Sequence, residues 1–518
     1  MMSWLKYEFR KLNWHVILNV IGYVLLALAG LLIAPLICGL IYHEDISSFV
    51  IVIILSLILG LPFSRVKVNH ASYFARDGLM AVGLCWIVLS IIGALPFYLS
   101  GTIPHYINAL FEAVSGFTTT GSSILTEVES LPKCMLFWRS FTHWIGGMGI
   151  LVFVLAILPK SNDRSMHILR AESPGPVIGK LVPRLRQSAM ILYLMYMGLT
   201  IIEVILLLLG HMPLFDALCN TFGSAGTGGF SVTNQGIGEY HNAYYEWIIG
   251  IFMALFGVNF NFYFFLVIHD FKNAFKLEEV KTYFYVILTS TILITINILS
   301  MYKYDVVRSI RLAFFQVSSI ITTTGFSSCN FDLWPTFSKM ILLLLMVLGA
   351  CAGSTGGGVK VSRMMIVVRR IKADIQRSVH PQKVKVITFD GKAVPEKVVD
   401  QIMSYFGCYI LIMSICFFFV SIDGFDMETT ISACVSCLGN IGPGFKVVGP
   451  FGNFHAFSDL SKLVLSLAML IGRLEIFPIL IFIAPLIGHG HKKKKRSKEE
   501  IYLYDENNIV VNPESWTK

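Results

Sequence analysis

Apolar runs of about 20 residues recur along this chain, and that length crosses the roughly 30 Å hydrocarbon core of a bilayer. Two of the runs, 50–62 and 340–352, contain no charged residue. Only 14% of the 518 residues are charged, whereas about 25% is usual in a soluble chain. Because a bilayer offers no water to backbone polar groups, such runs form helices. The sequence therefore predicts an all-α integral membrane protein with many spans.

Lysine and arginine residues are concentrated between the apolar runs. The clusters lie at 6–11, 65–76, 160–186, 363–377 and 492–496. Cytoplasmic loops of membrane proteins carry this excess, so we expect these segments and both chain termini on the cytoplasmic side. The net charge of +9 therefore indicates topology and does not indicate nucleic-acid binding. The last run, 489–496, is expected to be a topological anchor, with contact to anionic membrane lipid as the alternative. The first apolar run, 16–40, is too long for a cleavable signal and is expected to remain as a spanning helix.

An internal repeat follows a first pair of helices, which is predicted near 14–41 and 47–63. Each repeat has a spanning helix, a short semipolar segment and a second spanning helix, and the unit occurs four times. The first helices are predicted near 78–99, 188–210, 282–300 and 401–421, and their partners near 137–158, 244–268, 338–362 and 459–487. The predicted division of the chain is an N-terminal helix pair (1–76), pore repeats at 77–187, 188–281, 282–400 and 401–490, and a cytoplasmic tail (491–518).

The four short segments share a glycine that follows a helix-compatible stretch. They read FEAVSGFTTTGSS, FDALCNTFGSAGTGGFS, FFQVSSIITTTGFSS and TTISACVSCLGNIGPGF, and they align on Gly121, Gly229, Gly325 and Gly442. A small residue stands six positions before each glycine, namely Ser115, Gly223, Ser319 and Ser436. One Thr-Thr-Gly turn would be an ordinary loop, but four related turns between paired spans indicate a shared structure.

Irregular backbone at membrane depth is tolerated where it is buried in protein or lines a wet cavity. A short helix that ends in glycine presents unpaired carbonyl oxygens, and its C-terminal end carries partial negative charge. A ring of such carbonyls can replace the hydration shell of a cation. Glycine allows the unusual dihedral angles and keeps side chains out of the lumen. The four loops are therefore predicted to converge on one axis as a cation pore.

The loops TTTG, GTGGF, TTTGF and NIGPGF, with the extra N-terminal helix pair, resemble the TrkH/KtrB family of potassium-uptake proteins over about residues 14–490. The resemblance implies four pseudo-symmetric helix–pore loop–helix repeats that fold like a potassium channel. It also implies potassium (K+) as the transported ion, no organic cofactor, and a location in the bacterial inner (plasma) membrane. A homodimer is implied as well, docked on a cytoplasmic ring of TrkA/KtrA-like nucleotide-binding regulatory subunits.

The resemblance assigns the potassium-binding selectivity filter to three residues in each loop. These are Thr119, Thr120 and Gly121; Thr227, Gly228 and Gly229; Thr323, Thr324 and Gly325; and Asn440, Ile441 and Gly442. In sodium-preferring relatives a serine stands at the first filter position, so Gly121 favours potassium here. The second loop reads Gly226-Thr227-Gly228-Gly229, which allows two registers one residue apart.

A gate is predicted from two further features. The run Gly353, Ser354, Thr355, Gly356, Gly357 and Gly358 interrupts the second helix of the third repeat, because successive glycines break a helix. The run does not match the phosphate-binding pattern G-x-x-x-x-G-K-[ST], and it resembles the family's pore-obstructing intramembrane loop. Arg473 stands in an apolar run, where an ionised group is expensive and usually functional. The resemblance places it below the filter; a structural salt bridge with a carboxylate on another helix is the alternative.

Two acidic residues, Glu112 and Asp216, are predicted at equivalent places near the starts of the first two short segments. They either complement the helix dipole or concentrate cations at the pore mouth. His143 and His269 are predicted to pack without a ligand. The Cys-x-x-Cys at 434–437 has no second ligand pair at the spacing of a metal site.

The predicted function is therefore potassium uptake through a gated, potassium-selective pore that a cytoplasmic partner regulates. A proton- or sodium-coupled symporter on the same scaffold is the alternative, and it needs a titratable or sodium-binding site along the path. A membrane-bound enzyme is the distant alternative, but the sequence offers no acid–base or nucleophile constellation for one. The chain is thus predicted not to be an enzyme.

Overall fold

The computed structural model describes residues 13–67, 75–149, 185–380, 382, 385–476 and 478–479. Its N-terminal part is a helix pair: α1 (Trp14–Leu31) and α2 (Ile33–Tyr42) make one span, and α3 (Ser47–Ser64) packs beside α1. The side chain of Asn13 caps α1 by accepting a hydrogen bond from the backbone N–H of Val16. The two spans predicted near 14–41 and 47–63 are therefore present.

Four helical units follow, and each has a long helix, a short helix of 12–16 residues and a further helix. The first unit is α4 (Ala75–Leu99), α5 (Tyr106–Phe117) and α6 (Lys133–Gly147); the second is α7 (Leu185–Leu209), α8 (Leu214–Gly226), α9 (Ala243–Phe256) and α10 (Phe260–Val267), followed by α11 (Phe271–Ala274). The third is α12 (Glu278–Ile298), α13 (Val306–Ile321), α14 (Thr336–Val347) and α15 (Val361–Val379); the fourth is α16 (Glu396–Val420), α17 (Met427–Gly439) and α18 (Asp459–Arg473). Short 3₁₀ turns lie at Gly236–Tyr240, Phe331–Leu333, Ser421–Asp423 and Lys446–Val448, and a hairpin of two-residue strands, β1 (Thr388–Phe389) and β2 (Lys392–Ala393), connects α15 to α16.

The second helix of the second unit, predicted as continuous over 244–268, is bent by 92° between α9 and α10. The backbone groups freed at the break find new partners. The side chain of Asn259 accepts the N–H of Asn261 at 2.9 Å, and the N–H of Phe260 donates to the carbonyl of Gly353 at 3.0 Å. The prediction of one uninterrupted spanning helix near 244–268 is therefore wrong, and a contact from the third unit, distant in sequence, stabilises the bend.

The second helix of the third unit is interrupted, as the glycine run predicts, but over a longer stretch. Helix α14 ends at Val347, and α15 begins at Val361. Residues 348–360 between them are called the inner loop below. The loop is held as a closed turn because the N–H of Gly349 donates to the carbonyl of Val359 at 2.7 Å.

Six helices in the described residues are long and apolar enough to cross a membrane, or seven when the bent pair α9–α10 is counted. Ile201, Ile205 and Leu209 recur every four residues along α7 and are exposed, which is the pattern of a helix that faces lipid. Large side chains such as Trp138 and Phe256 are buried where the units pack together. The predicted fold class, an all-α integral membrane protein with four helix–loop–helix units after a helix pair, is confirmed.

Some sequence predictions lie outside the described residues. They are the stretches 150–158 and 480–487 of two predicted helices, the basic cluster 6–11, part of the cluster 65–76, most of the basic segment 160–186, and the tail 491–518. Within the described residues, α6 already ends at Gly147 and α18 at Arg473. The helices predicted near 137–158 and 459–487 are therefore not continuous, because residues 148–149 and 474–476 leave the helical conformation.

Candidate ion-conduction site

Each short helix ends in the same hydrogen-bonded turn. In the first unit, the N–H of Thr120 donates to the carbonyl of Ser115 at 2.9 Å, and the N–H of Thr119 donates to that of Gly116 at 3.1 Å. This pair of bonds is a Schellman motif, which closes a helix C-terminus around a left-handed residue. The bond that corresponds to Thr120–Ser115 joins a backbone N–H to the carbonyl five residues earlier in each of the other units. These bonds run from Gly228 to Gly223 at 2.8 Å, from Thr324 to Ser319 at 2.8 Å, and from Ile441 to Ser436 at 2.9 Å. The small residue noted six positions before each glycine is thus the acceptor of this bond.

The left-handed position of the turn is occupied by threonine in three units and by asparagine in the fourth. The φ angles are 55° at Thr119, 55° at Thr227, 59° at Thr323 and 55° at Asn440. A positive φ is a strained outlier for a β-branched residue, and such strain persists only where the surrounding structure enforces it. The backbone of these turns is therefore held in place by its neighbours and not by local preference.

The four aligned glycines, called the glycine ring below, lie against one another through their backbones. All have positive φ: Gly121 81°, Gly229 74°, Gly325 83° and Gly442 105°. A Cβ atom on Gly121 would lie 2.0 Å from the carbonyl oxygen of Gly228, and one on Gly229 would lie 2.0 Å from that of Thr324. In the same way, a Cβ atom on Gly325 would lie 1.9 Å from the carbonyl oxygen of Ile441, and one on Gly442 would lie 2.8 Å from that of Thr120. The four loops therefore form a closed circle in the order of the units, with no space for a side chain between neighbours.

The closed order also distinguishes the two registers of the second loop. Gly229 has the left-handed φ and the contact with the third unit, and it stands two residues after the left-handed Thr227. The same two-residue spacing separates Thr119 from Gly121. Gly229 therefore occupies the position of the other three ring glycines.

A buried ion pair supports the first loop from behind. The Nε of Arg139 lies 2.6 Å from Oε1 of Glu112, and both side chains are buried. The Glu112 carboxylate also accepts the N–H of Ile124 at 3.0 Å, while Nη1 of Arg139 donates to the carbonyl of Ser231 in the second loop at 2.9 Å. The pair thus ties two neighbouring loops together, and removing one partner of such a pair typically costs about 3–5 kcal/mol.

The predicted equivalence of Glu112 and Asp216 is wrong. Glu112 stands nine residues before Gly121, whereas Asp216 stands thirteen before Gly229, which is one helical turn further away. Asp216 lies in the first turn of α8, where it accepts a hydrogen bond from the hydroxyl of Tyr240 at 3.0 Å. Its position therefore suits the helix dipole, whereas the buried Glu112 serves the ion pair with Arg139.

The two histidines differ. His143 is buried beside the second loop: its Nδ1 lies 2.8 Å from the carbonyl oxygen of Gly116, and its ring packs 4.1 Å from that of Phe230. The packing predicted for His143 is therefore found. His269 follows the end of α10 and is exposed, so the packing predicted for it is wrong.

The inner loop lies against the C-terminal ends of the third and fourth short helices. The N–H of Gly357 donates to the hydroxyl of Thr323 at 2.6 Å. A Cβ atom on Gly357 would lie 2.9 Å from Cβ of Asn440, and one on Gly356 would lie 2.9 Å from the carbonyl oxygen of Thr322. The structure therefore brings the predicted gate glycines into direct contact with the residues that precede the glycine ring.

Arg473 joins three units at this place. Its Nη1 donates to the carbonyl of Thr355 in the inner loop at 2.8 Å. Its Nη2 donates to the carbonyls of Gly146 at 2.5 Å and Gly147 at 2.8 Å, at the end of α6. The neighbouring Glu475 forms its ion pair with Arg363. Arg473 therefore links the fourth unit to the first unit and to the inner loop of the third.

One further residue of the site was missed by sequence reasoning. Oε1 of Glu279, in the first turn of α12, accepts the N–H of Ala352 at 2.7 Å and the N–H of Ser362 at 3.0 Å. This buried carboxylate therefore ties the first half of the inner loop to the first turn of α15. In the sequence, Glu279 is recognisable only as an acidic residue at the start of a spanning helix. Nothing in the sequence connects it to a loop more than 70 positions away.

Comparisons with known proteins agree with this architecture. The sequence matches the TrkH family, described as a cation transport protein, over residues 45–492. The Trk system potassium uptake protein TrkH of Salmonella typhimurium is 34% identical over 483 residues, which cover 92% of this chain and 99% of that protein. The protein of the same name from Escherichia coli K12 is 33% identical over the same lengths.

A solved structure shares the fold. The crystal structure of the potassium transporter TrkH from Vibrio parahaemolyticus matches with a TM-score of 0.83 at 31% identity, covering 92% of this chain and 100% of the other. The curated relatives are named as components of transport systems, in agreement with the prediction of a transport protein that is not an enzyme. The chain therefore belongs to the TrkH family of cation transport proteins.

Proposed function

We propose that this chain is the pore-forming subunit of a Trk-type potassium-uptake system and that K+ passes through the glycine ring. The observation that carries the proposal is the closed succession of carbonyl oxygens from Thr120, Gly228, Thr324 and Ile441 around the ring. Carbonyl oxygens arranged in this way replace the hydration shell of a cation. The C-terminal ends of the four short helices add partial negative charge at the same place.

In this proposal the filter consists of the ring glycines and the two residues before each of them. A Cβ atom on a ring glycine would lie 1.9–2.8 Å from a carbonyl oxygen of the neighbouring loop, so the backbones lie close enough for their carbonyls to act together. The strained turns and the ion pair of Glu112 with Arg139 hold those carbonyls at a fixed spacing. A fixed ring favours the ion whose hydration shell it replaces best, and we assign that ion as K+.

The inner loop is the proposed gate. Residues 353–358 lie against the inner ends of the short helices, and Arg473 and Glu279 hold the loop there. Because hydrogen bonds hold the loop against these helix ends, the closed position is favoured and only a residual K+ leak is expected from the chain alone; a partner that shifts α15 or α12 would raise the open population. We assign that role to a nucleotide-binding regulatory ring on the cytoplasmic side, with a homodimer of this chain in the bacterial inner membrane and both termini in the cytoplasm. This part of the proposal is supported by the family resemblance.

A coupled symporter is the second candidate, and one residue favours it. Glu203, in the spanning helix α7, is completely buried and accepts a hydrogen bond from the hydroxyl of Ser224 at 2.5 Å. Among the described residues its Oε2 has no hydrogen-bond partner. An ionisable group within a span is a common mark of proton pathways.

Flux into proteoliposomes that contain the purified chain distinguishes the two candidates. Gradients of K+, Na+ and protons are imposed one at a time, with a lipid-permeant anion present to prevent a membrane potential from building up. We expect K+ to follow its own gradient, Na+ to be largely excluded, and a proton gradient alone to move no K+. If K+ moves only when a proton or sodium gradient drives it, the chain is a symporter and not a passive pore. A Glu203→Gln variant would then be expected to lose the coupling.

A further inference from the structure

Three successive carbonyl oxygens of the inner loop are bound by cationic side chains. Arg473 donates to that of Thr355 at 2.8 Å, and Nζ of Lys360 donates to those of Gly356 and Gly357, the latter at 3.4 Å. Lys360 is only 6% exposed. The loop therefore presents a row of carbonyls, 355–357, that already holds two positive charges.

The partners of the Lys360 ammonium group are unusual. Lysine is rarely buried unless it is paired with a carboxylate, yet in the described part of the chain no carboxylate oxygen lies within ion-pair distance of Nζ. Instead its donors point at backbone carbonyls, the type of ligand that a K+ ion takes in a filter. The ammonium group and K+ carry the same charge, so they compete for the same oxygens.

These carbonyls lie next to the proposed path. Gly356 and Gly357 are the residues that approach Thr322, Thr323 and Asn440 at the inner ends of the third and fourth short helices. If the proposed path continues along these helix ends, an ion that leaves the glycine ring reaches the inner loop, which carries the carbonyls of residues 355–357. Their oxygens are occupied by Lys360 and Arg473 in the structure.

We propose that Lys360 is a tethered cation that occupies a potassium site formed by the carbonyls of Gly356 and Gly357, and that opening of the gate exchanges its ammonium group for the permeating ion. The inference rests on the proposed pore function. Beyond that function, we assign an ion site outside the glycine ring and a charge that blocks this site. The ammonium group of Lys360 repels an incoming cation and so adds to the obstruction by the loop backbone.

A purely structural role for Lys360 gives different expectations. If the side chain only supports the turn before α15, then any group of similar length should serve, whether or not it is charged. If the side chain blocks as a cation, the positive charge itself is needed. The test must therefore vary charge at constant size.

Lys360→Cys allows this comparison in the full-length chain. Aminoethyl methanethiosulfonate attaches a short chain that ends in an ammonium group, whereas propyl methanethiosulfonate attaches a neutral chain of similar length. The ten native cysteines require the same treatments on the unsubstituted chain as a control. In proteoliposomes without a regulator, we expect Lys360→Cys to raise K+ leak about tenfold, because a lost charge-assisted hydrogen bond shifts the closed population by about that factor.

The charged adduct should restore the low leak, and the neutral adduct should not. Unchanged leak in Lys360→Cys, or equal restoration by both adducts, would overturn the tethered cation. If the cysteine variant does not fold, Lys360→Met compared with Lys360→Arg gives the same contrast, and leak that is equal in these two variants has the same meaning. If substitution of Lys360 leaves the leak unchanged while K+ flux in the unsubstituted chain still follows its own gradient, only the tethered cation is ruled out. If the unsubstituted chain shows no K+ flux driven by the K+ gradient, the proposed pore function itself is ruled out.

Discussion

Gly325→Ser is expected to lower the potassium-over-sodium permeability ratio by at least about tenfold, since ~1.4 kcal/mol of differential ion binding changes a ratio by that factor. The new Cβ atom would lie 1.9 Å from the carbonyl oxygen of Ile441, which no real contact allows. The φ of 83° adds strain for any residue with a side chain. The oxygen of Ile441 must therefore move, and the ring loses the spacing on which selectivity depends. Bi-ionic reversal potentials or paired K+ and Na+ fluxes measure the ratio.

Gly101→Ser is the matched control for this substitution. Gly101 has a similar left-handed φ of 74°, but among the described residues nothing lies within 4 Å of the Cβ position. The control therefore carries the same backbone strain without the contact in the ring. We expect it to leave the permeability ratio unchanged. A normal ratio in Gly325→Ser, with protein that elutes and melts like the unsubstituted chain, would count against the assignment of the filter.

Arg473→Ala is expected to raise K+ leak in the absence of a regulator by on the order of tenfold to a hundredfold, since each hydrogen bond to a charged donor contributes about 1.5–3 kcal/mol. The substitution removes the donors to Thr355 in the inner loop and to Gly146 and Gly147 at the end of α6. The loop then loses its connection to the first unit, so its closed position becomes less populated. Leak is measured as tracer K+ entry into proteoliposomes at matched protein density.

Arg370→Ala controls for the loss of one positive charge. Arg370 lies on α15 and forms ion pairs with Asp374 and Glu396, and surface pairs of this kind contribute about 0–1 kcal/mol. Its substitution should leave the leak unchanged. If Arg473→Ala behaves like this control, then Arg473 has only a structural role and the gate must be sought elsewhere.

The spans and the loops of this protein are predictable because both depend on local sequence. The apolar run at 188–210 becomes α7 (Leu185–Leu209) with boundaries shifted by only a few residues, since bilayer thickness sets its length. The four glycines are recognisable because positive φ next to a neighbouring backbone favours the residue without a side chain. The order in which they contact one another then follows from the order of the units.

Other parts of the site depend on contacts that no local pattern reveals. Threonine favours extended backbone, so nothing in the sequence indicates that Thr119 and Thr323 adopt left-handed turns. The link from Arg139 to Ser231 and the clamp of Glu279 on the inner loop join residues more than 70 positions apart. The bend after α9 depends on the carbonyl of Gly353, also from another unit. Such contacts become visible only when the units are packed together.

The passage of K+ through the glycine ring is tested most directly by crystallography, in which Rb+ replaces K+ and its anomalous scattering is mapped. We expect a peak on the axis of the glycine ring, at coordinating distance from the carbonyl oxygens of Thr120, Gly228, Thr324 and Ile441. The same crystals soaked in Na+ should lose this site. A map with Rb+ bound elsewhere in the membrane region and none within the ring would contradict the assignment of these loops as the filter.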